Sequence, residues 1–206
     1  MTTSKCTRCG TPLQKYPILS ETHFETLTAC VNCQAGVIQQ LRTTNATIAE
    51  KYLKTQNVPK RYWSAELTDK YTDFIGAPDV LKRDCGLYLI GDSGVGKSWL
   101  TVAWFKHMLY EGLKCHYINW SDFMVKLRMD MKSYEQLKAS ALQADCVFID
   151  DFDATNQYMY DIIYNFIGSL YNAPKLVYFN SIELPTQNKL AMRIGEMTKQ
   201  VKLVRK

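Results

Sequence analysis

A strand that runs into a glycine loop and then into a helix constrains this chain more than any other feature. Gly86 to Ile90 (GLYLI) reads as a buried strand, and residues 91 to 98 read Gly-Asp-Ser-Gly-Val-Gly-Lys-Ser. Trp99 to Glu111 carries a helical pattern, with Gly112 suited to end it. The loop satisfies G-x-x-x-x-G-K-[ST] at each fixed position. Glycine there lets backbone N–H groups turn inward around an anion without a clashing Cβ. Gly91, Asp92, Ser93, Gly94, Val95 and Gly96 are therefore expected to cradle phosphates. Lys97 is expected at the β and γ phosphates, and the Ser98 hydroxyl on Mg2+. The positive end of the helix beginning near Lys97 points at the same anion.

Downstream, apolar strands alternate with longer helical patterns. Lys114 to Asn119, Val147 to Asp150 and Leu176 to Asn180 (LVYFN) read as strands. Ser121 to Met131 reads as a helix with Ser121 as its N-cap, and Tyr158 to Tyr171 as another. Alternation of this kind predicts an α/β domain, a parallel sheet covered by helices on both faces.

The Val147–Asp150 strand ends in two acids, Asp150 and Asp151. The first is expected to hold Mg2+, directly or through water, and the second to polarise an attacking water. Asp153 lies close enough in sequence to share that load. Because the Lys114–Asn119 strand separates the loop strand from the acidic strand in sequence, the order matches P-loop ATPases with an additional strand. Those use a polar group on the following strand, and Asn180, which ends LVYFN, suits that sensing role.

The N-terminal region carries a second constellation. Cys6-x-x-Cys9 and Cys30-x-x-Cys33 are separated by 20 residues, and each pair can close a knuckle with both thiolates on one ion. The expected ligand is structural Zn2+, held by Cys6, Cys9, Cys30 and Cys33; a redox pair and an Fe–S cluster are the alternatives. His23, between the pairs, is expected at the surface. A segment this poor in large apolar residues needs such a staple to fold. Cys115 and Cys146 read as core. The implied division is a zinc-binding module over 1–36, a helix and linker over 37–61, and the main domain over 62–206. Val37, Ile38, Leu41, Ile48, Tyr52 and Leu53 form a partial helical stripe, and Asn57-Val58-Pro59 ends it.

Composition adds limits. The chain has 206 residues and 47% apolar content, enough for one medium domain with a small appendage. A net charge of +5 is compatible with nucleic acid but does not require it. The N-terminus has no secretory pattern, and no apolar run approaches the ~20 residues that span a bilayer. A cytoplasmic protein without membrane association, in a bacterial cell or phage-infected host, is expected. Paired cysteines in a reducing compartment favour metal over disulfide.

The stretch from Cys85 to Arg128, CGLYLIGDSGVGKSWLTVAWFKHMLYEGLKCHYINWSDFMVKLR, resembles the DnaC/DnaI/IstB branch of AAA+ ATPases. NVPKRYWSAEL, residues 57 to 67, is similar to the entry segment of that family, and LVYFNSIELP to its sensor strand. The resemblance covers nearly the whole chain. It implies an AAA+ three-layer αβα fold, ATP with Mg2+ as ligands, weak or partner-stimulated hydrolysis, and Lys97, Asp151 and Asn180 as the reacting set. Arg193, in LAMRIGEM, matches the arginine finger that reaches a neighbouring subunit's nucleotide. The implied activity is loading of a replicative helicase onto single-stranded DNA during DNA replication, in a homo-oligomer formed on ATP or partner binding. Lys126, Arg128 and Lys132, with Phe123 and Tyr134, offer charge and stacking for the DNA. Two departures stand out: Met197 and Leu170 replace arginines frequent in the family. An IstB-like deliverer of transposase, a non-hydrolysing adaptor and a nucleoside kinase are the competing readings. In thymidine kinases, which also join a phosphate loop to zinc cysteines, the cysteines follow the loop; here they precede it.

Overall fold

The computed structural model describes residues 17–19, 24–26, 47–67, 85–110, 113–173 and 175–204. In the N-terminal region β1 (Pro17–Leu19) and β2 (Phe24–Thr26) form an antiparallel pair, Pro17 opposite Thr26. The pair falls between Cys9 and Cys30 in sequence. The four cysteines and His23 themselves lie outside the described residues.

Five strands build the main sheet: β3 (Gly86–Ile90), β4 (Cys115–Asn119), β5 (Cys146–Asp150), β6 (Leu176–Ser181) and β7 (Thr198–Lys202). Their order is β4-β5-β6-β3-β7, and every pairing is parallel. β6 is thus inserted between the loop strand β3 and the acidic strand β5. β7 has no counterpart in the sequence reading. Its residues, TKQVK, lack an apolar run because an edge strand with mostly exposed side chains needs none.

Strand alternation splits the core in two. Leu87, Leu89, Cys146, Phe148 and Tyr178 face one layer; Tyr88, Val147, Ile149, Val177 and Phe179 face the other. On the first face lies α2 (Lys97–Tyr110). Leu100, Val102, Ala103, Trp104, Phe105, Met108 and Leu109 are all buried, so this helix is covered on more than its sheet side. The cover includes α1 (residues 47–55) and the segment after it, through Ala49, Leu53, Val58 and Ala65. Asn57 ends α1 in the left-handed region at φ 54°, with Val58 N–H bonded to Leu53 O at 2.9 Å, a Schellman closure. Lys106 is buried in the same layer. Its ammonium donates to Trp63 O at 3.0 Å and Ala65 O at 2.9 Å and pairs with Glu66, which accounts for its burial.

The second face carries α3 (Trp120–Met129), α4 (Met131–Gln143), α5 (Tyr160–Tyr171) and α6 (Asn188–Met197). Here the sequence reading needs correction. The N-cap of α3 is Asn119, whose Oδ1 accepts from Asp122 N–H at 3.0 Å, so Ser121 lies inside the helix. The helix stops at Met129 because Asp130 turns extended and caps α4, accepting from Lys132 N–H at 2.9 Å and Ser133 N–H at 3.2 Å. Phe123 and Tyr134 are buried, with ring centroids 5.1 and 6.5 Å from Phe166. They are core residues, and the stacking platform expected of them does not exist. No helix among the described residues is long and apolar enough to cross a membrane.

Candidate functional site

The phosphate loop leaves β3 at Gly91 and enters α2 at Lys97. Gly94 and Gly96 hold φ of 81° and 96°, the left-handed region that glycine enters without strain. Gly91 is needed for a different reason. A Cβ there would sit 2.5 Å from Leu203 O, because the chain beyond β7 runs against the loop, with Leu203 N–H bonded to Ile90 O at 2.7 Å. Lys97 is buried, and its ammonium donates to Gly91 O at 2.7 Å and Asp92 O at 2.9 Å. It stands across its own loop, where an incoming phosphate oxygen can replace those carbonyls. Ser98 follows in the first turn of α2, half-buried.

Asp150 ends β5 and is 1% exposed. A buried carboxylate is tolerable only with donors around it. Tyr117 Oη donates to its Oδ2 at 2.5 Å, and Asn180 Nδ2 donates to its Oδ1. Asn180, fully buried on β6, is the hub. Its Nδ2 also meets Thr101 Oγ1 of α2 at 2.7 Å, and its Oδ1 accepts from Asp151 N–H at 2.9 Å. The intervening strand thereby ties the acidic strand end to the helix that starts in the phosphate loop.

Asp151 points out of this network. Its backbone is left-handed, φ 55°, a strained state for a non-glycine residue that aspartate tolerates better than most. Partial burial, then the neighbouring charge of Asp150, push its carboxyl above the ordinary 3.8; Lys97 and Arg61 pull it back down. A cleft of about 540 Å3 opens beside it, between the loops that follow β5 and β6.

Gly91 to Ser98, Asp150, Asp151 and Asn180 are thus brought to one end of the sheet. Arg193 is placed elsewhere. It rises from α6 against α5, its guanidinium 4.0 Å from the Tyr164 ring centroid and 5.8 Å from that of Tyr171. The sequence reading missed Tyr117 and Thr101. Tyr117 was detectable in principle. It sits opposite Phe148 in the β4–β5 register, two residues short of the Asn119–Asp150 pair, so its long side chain reaches the acid diagonally on the same face.

The residues present fit a magnesium-bound triphosphate: inward-turned amides, a retractable ammonium, a hydroxyl at a helix start and a held carboxylate at the next strand end but one. Among the described residues no cluster of three or more His, Cys, Asp or Glu side chains is disposed to hold a metal ion alone.

Strand order β4-β5-β6-β3-β7, with the phosphate loop on β3 and the acid pair on β5, defines an AAA+ type P-loop domain. The chain belongs to the IstB-like ATP binding protein family, whose model matches residues 42–182. Solved structures agree in fold. DnaI superposes with a TM-score of 0.60 at 16% identity, over 72% of this chain and 93% of that one. The DnaC helicase loader does so at 0.57 and 18%, over 71% of this chain and 100% of that one. The replication initiator DnaA bound to AMPPCP and single-stranded DNA gives 0.52 and 18%, over 59% of this chain and 41% of that one. The chain likewise spans only 47% of a DNA replication initiation factor of the same fold. No curated protein matches the sequence closely enough to count as a relative.

Proposed function

We propose that this protein is an ATP-dependent loader that binds a replicative DNA helicase and assists its placement on single-stranded DNA. The observation that carries the reading is the pairing of a hydrolysis-type site with a loader-sized fold. The acid pair and Asn180 stand beside the phosphate loop, and the domain matches the DnaC helicase loader over all of that chain.

In this reading the loop amides bind the triphosphate of ATP. Lys97 leaves the carbonyls of Gly91 and Asp92 for the β and γ oxygens, and Ser98 and Asp150 hold Mg2+, which neutralises charge developing on the phosphates. Asp151 orients the attacking water and accepts its proton. Asn180 keeps the two acids in register and senses the γ-phosphate. Arg193 reaches the nucleotide of a neighbouring subunit once ATP or the helicase brings subunits together. Cys6, Cys9, Cys30 and Cys33, a donor set suited to Zn2+, staple the module that grips the helicase.

The test is copurification with the replicative helicase, using the full chain and a chain lacking residues 1–36, which keeps α1 with its buried Ala49 and Leu53. Binding by the full chain and its loss on truncation is the expected result; equal binding overturns the grip assignment. If neither chain retains helicase, the client is wrong. Membership of the IstB-like family favours one second reading, delivery of a transposase to DNA, and the same capture with a transposase discriminates the two.

A further inference from the structure

Tyr117 occupies the middle of the edge strand β4 and is 3% exposed, on the face that α2 covers. Its ring packs edge-on against Phe105, centroids 6.1 Å apart. A phenylalanine would supply that packing. The hydroxyl needs another reason, because burying it without a partner costs stability. Its partner is Oδ2 of Asp150 at 2.5 Å, while Asn180 holds the other carboxylate oxygen. In that contact the hydroxyl donates and the carboxylate oxygen accepts. With one donor on each oxygen, the carboxylate plane of Asp150 is fixed. Tyr117 is itself anchored, since its N–H donates to Gln56 Oε1 just beyond the last turn of α1 at 3.2 Å.

We propose that Tyr117 is a positioning residue for the magnesium acid. Its hydroxyl sets the rotation of the Asp150 carboxylate and so the direction of the lone pairs left for the ion or its water shell. The inference rests on the reading of Asp150 as a Mg2+ contact. Outer partners that orient metal-binding groups typically contribute 10- to 100-fold in metal affinity or activity. Asn180 remains on Oδ1, so loss of Tyr117 alone belongs at the lower end, about 10-fold. Because Gln56 fixes the same residue, the orientation of the acid is tied to the segment that leads in from the N-terminal region.

The experiment compares the full chain with Tyr117→Phe, titrating a fluorescent ADP analogue at graded Mg2+ concentrations and in EDTA. A melting temperature within a few degrees of the parent establishes that the variant, which keeps the ring, is folded. The expected result is a rise of about 10-fold in the Mg2+ concentration that half-restores tight binding, with affinity in EDTA unchanged. A Mg2+ dependence identical to the parent overturns the proposal. So does an equal loss of affinity in EDTA, which would mean that the pocket itself has been damaged. If the parent shows no Mg2+-dependent nucleotide binding, the nucleotide-site reading fails before Tyr117 is in question.

Discussion

The acid end of β5 and the α5–α6 pair hold polar side chains in opposite ways. At β5, Asp150, Asn180, Tyr117 and Thr101 are each less than a tenth exposed, and every link among them is a hydrogen bond to another buried group. Between α5 and α6, Arg193 is half-buried and rests on ring faces, while Tyr171, 40% exposed, bonds Glu196 across the same helix pair. The first cluster has no water to fall back on, so removing one member strands the others. The second has solvent at its edge, so its arginine can leave at small cost. That difference suits the two roles proposed: fixed geometry around a metal, and a side chain free to move to another subunit.

The largest effect should come from breaking the hub. Asn180→Leu keeps the volume but removes the donor to Asp150 Oδ1 and Thr101 and the acceptor for Asp151 N–H. The loss should be about 3 kcal/mol, since a buried carboxylate oxygen and a backbone donor lose their partners. Urea unfolding should show a lower midpoint with an unchanged slope. A loss under about 1 kcal/mol, the scale of an ordinary exposed hydrogen bond, would break the contrast between the two clusters.

His116 sharpens the contrast from the same strand. It lies next to Tyr117 but faces the α3–α4 layer, in a cleft it shares with Asp122 and Lys126. Its Nε2 is buried without a partner among the described residues, and burial pulls the imidazole from its ordinary 6.5 down to about 4. Between those values the unfolded chain binds a proton that the folded chain refuses. Stability contributed by the neutral ring is therefore complete above pH 6.5 and lost as pH falls toward 4. His116→Leu should remove about 2 kcal/mol of that decline, read as the difference between parent and variant melts across the window. Parallel curves would show that the ring titrates normally.

Arg193→Ala should cost less, about 1 kcal/mol, the scale of a partly exposed cation–π contact. Nucleotide affinity of dilute protein should not change. Turnover that rises with protein concentration in the parent should fall by about 10^3-fold in the variant, if the guanidinium serves a neighbouring site. Concentration-independent turnover in the parent would confine Arg193 to its clasp.

What the sequence revealed follows the same divide. The phosphate loop and the acid pair are contiguous in sequence, and the chemistry dictates residue type at each position, so both were legible. The strands β3, β5 and β6 were legible because burial on both faces leaves uninterrupted apolar runs. β7 was not, because its pairing with β3 is made by backbone, under side chains such as Lys199, Gln200 and Lys202 that carry no pattern. The break at Asp130 was hidden because an aspartate between two helical stretches reads equally well as an exposed helix residue. The partners of Arg193 were invisible for a third reason. They depend on two helices meeting in space, and neither helix announces the other.

Gly168 is the place where that meeting can be altered most gently. It faces α6 from the last turn of α5, and a Cβ built there would collide with Arg193 Nη1 and lie 3.5 Å from Cζ. Those atoms are the far end of a flexible side chain, so Gly168→Ala should displace the guanidinium without moving either helix. Alanine also suits a helix interior better than glycine, by about 0.5–1 kcal/mol. That gain and the lost ring contacts oppose each other, and the melting temperature should stay within about 0.5 kcal/mol equivalent of the parent. The arginine, released from Tyr164, should then reach a neighbouring nucleotide at lower protein concentration, and the concentration for half-maximal turnover should fall. A large drop in stability would mean that α6 depends on the clasp, and the ease of movement assigned to this cluster would be wrong.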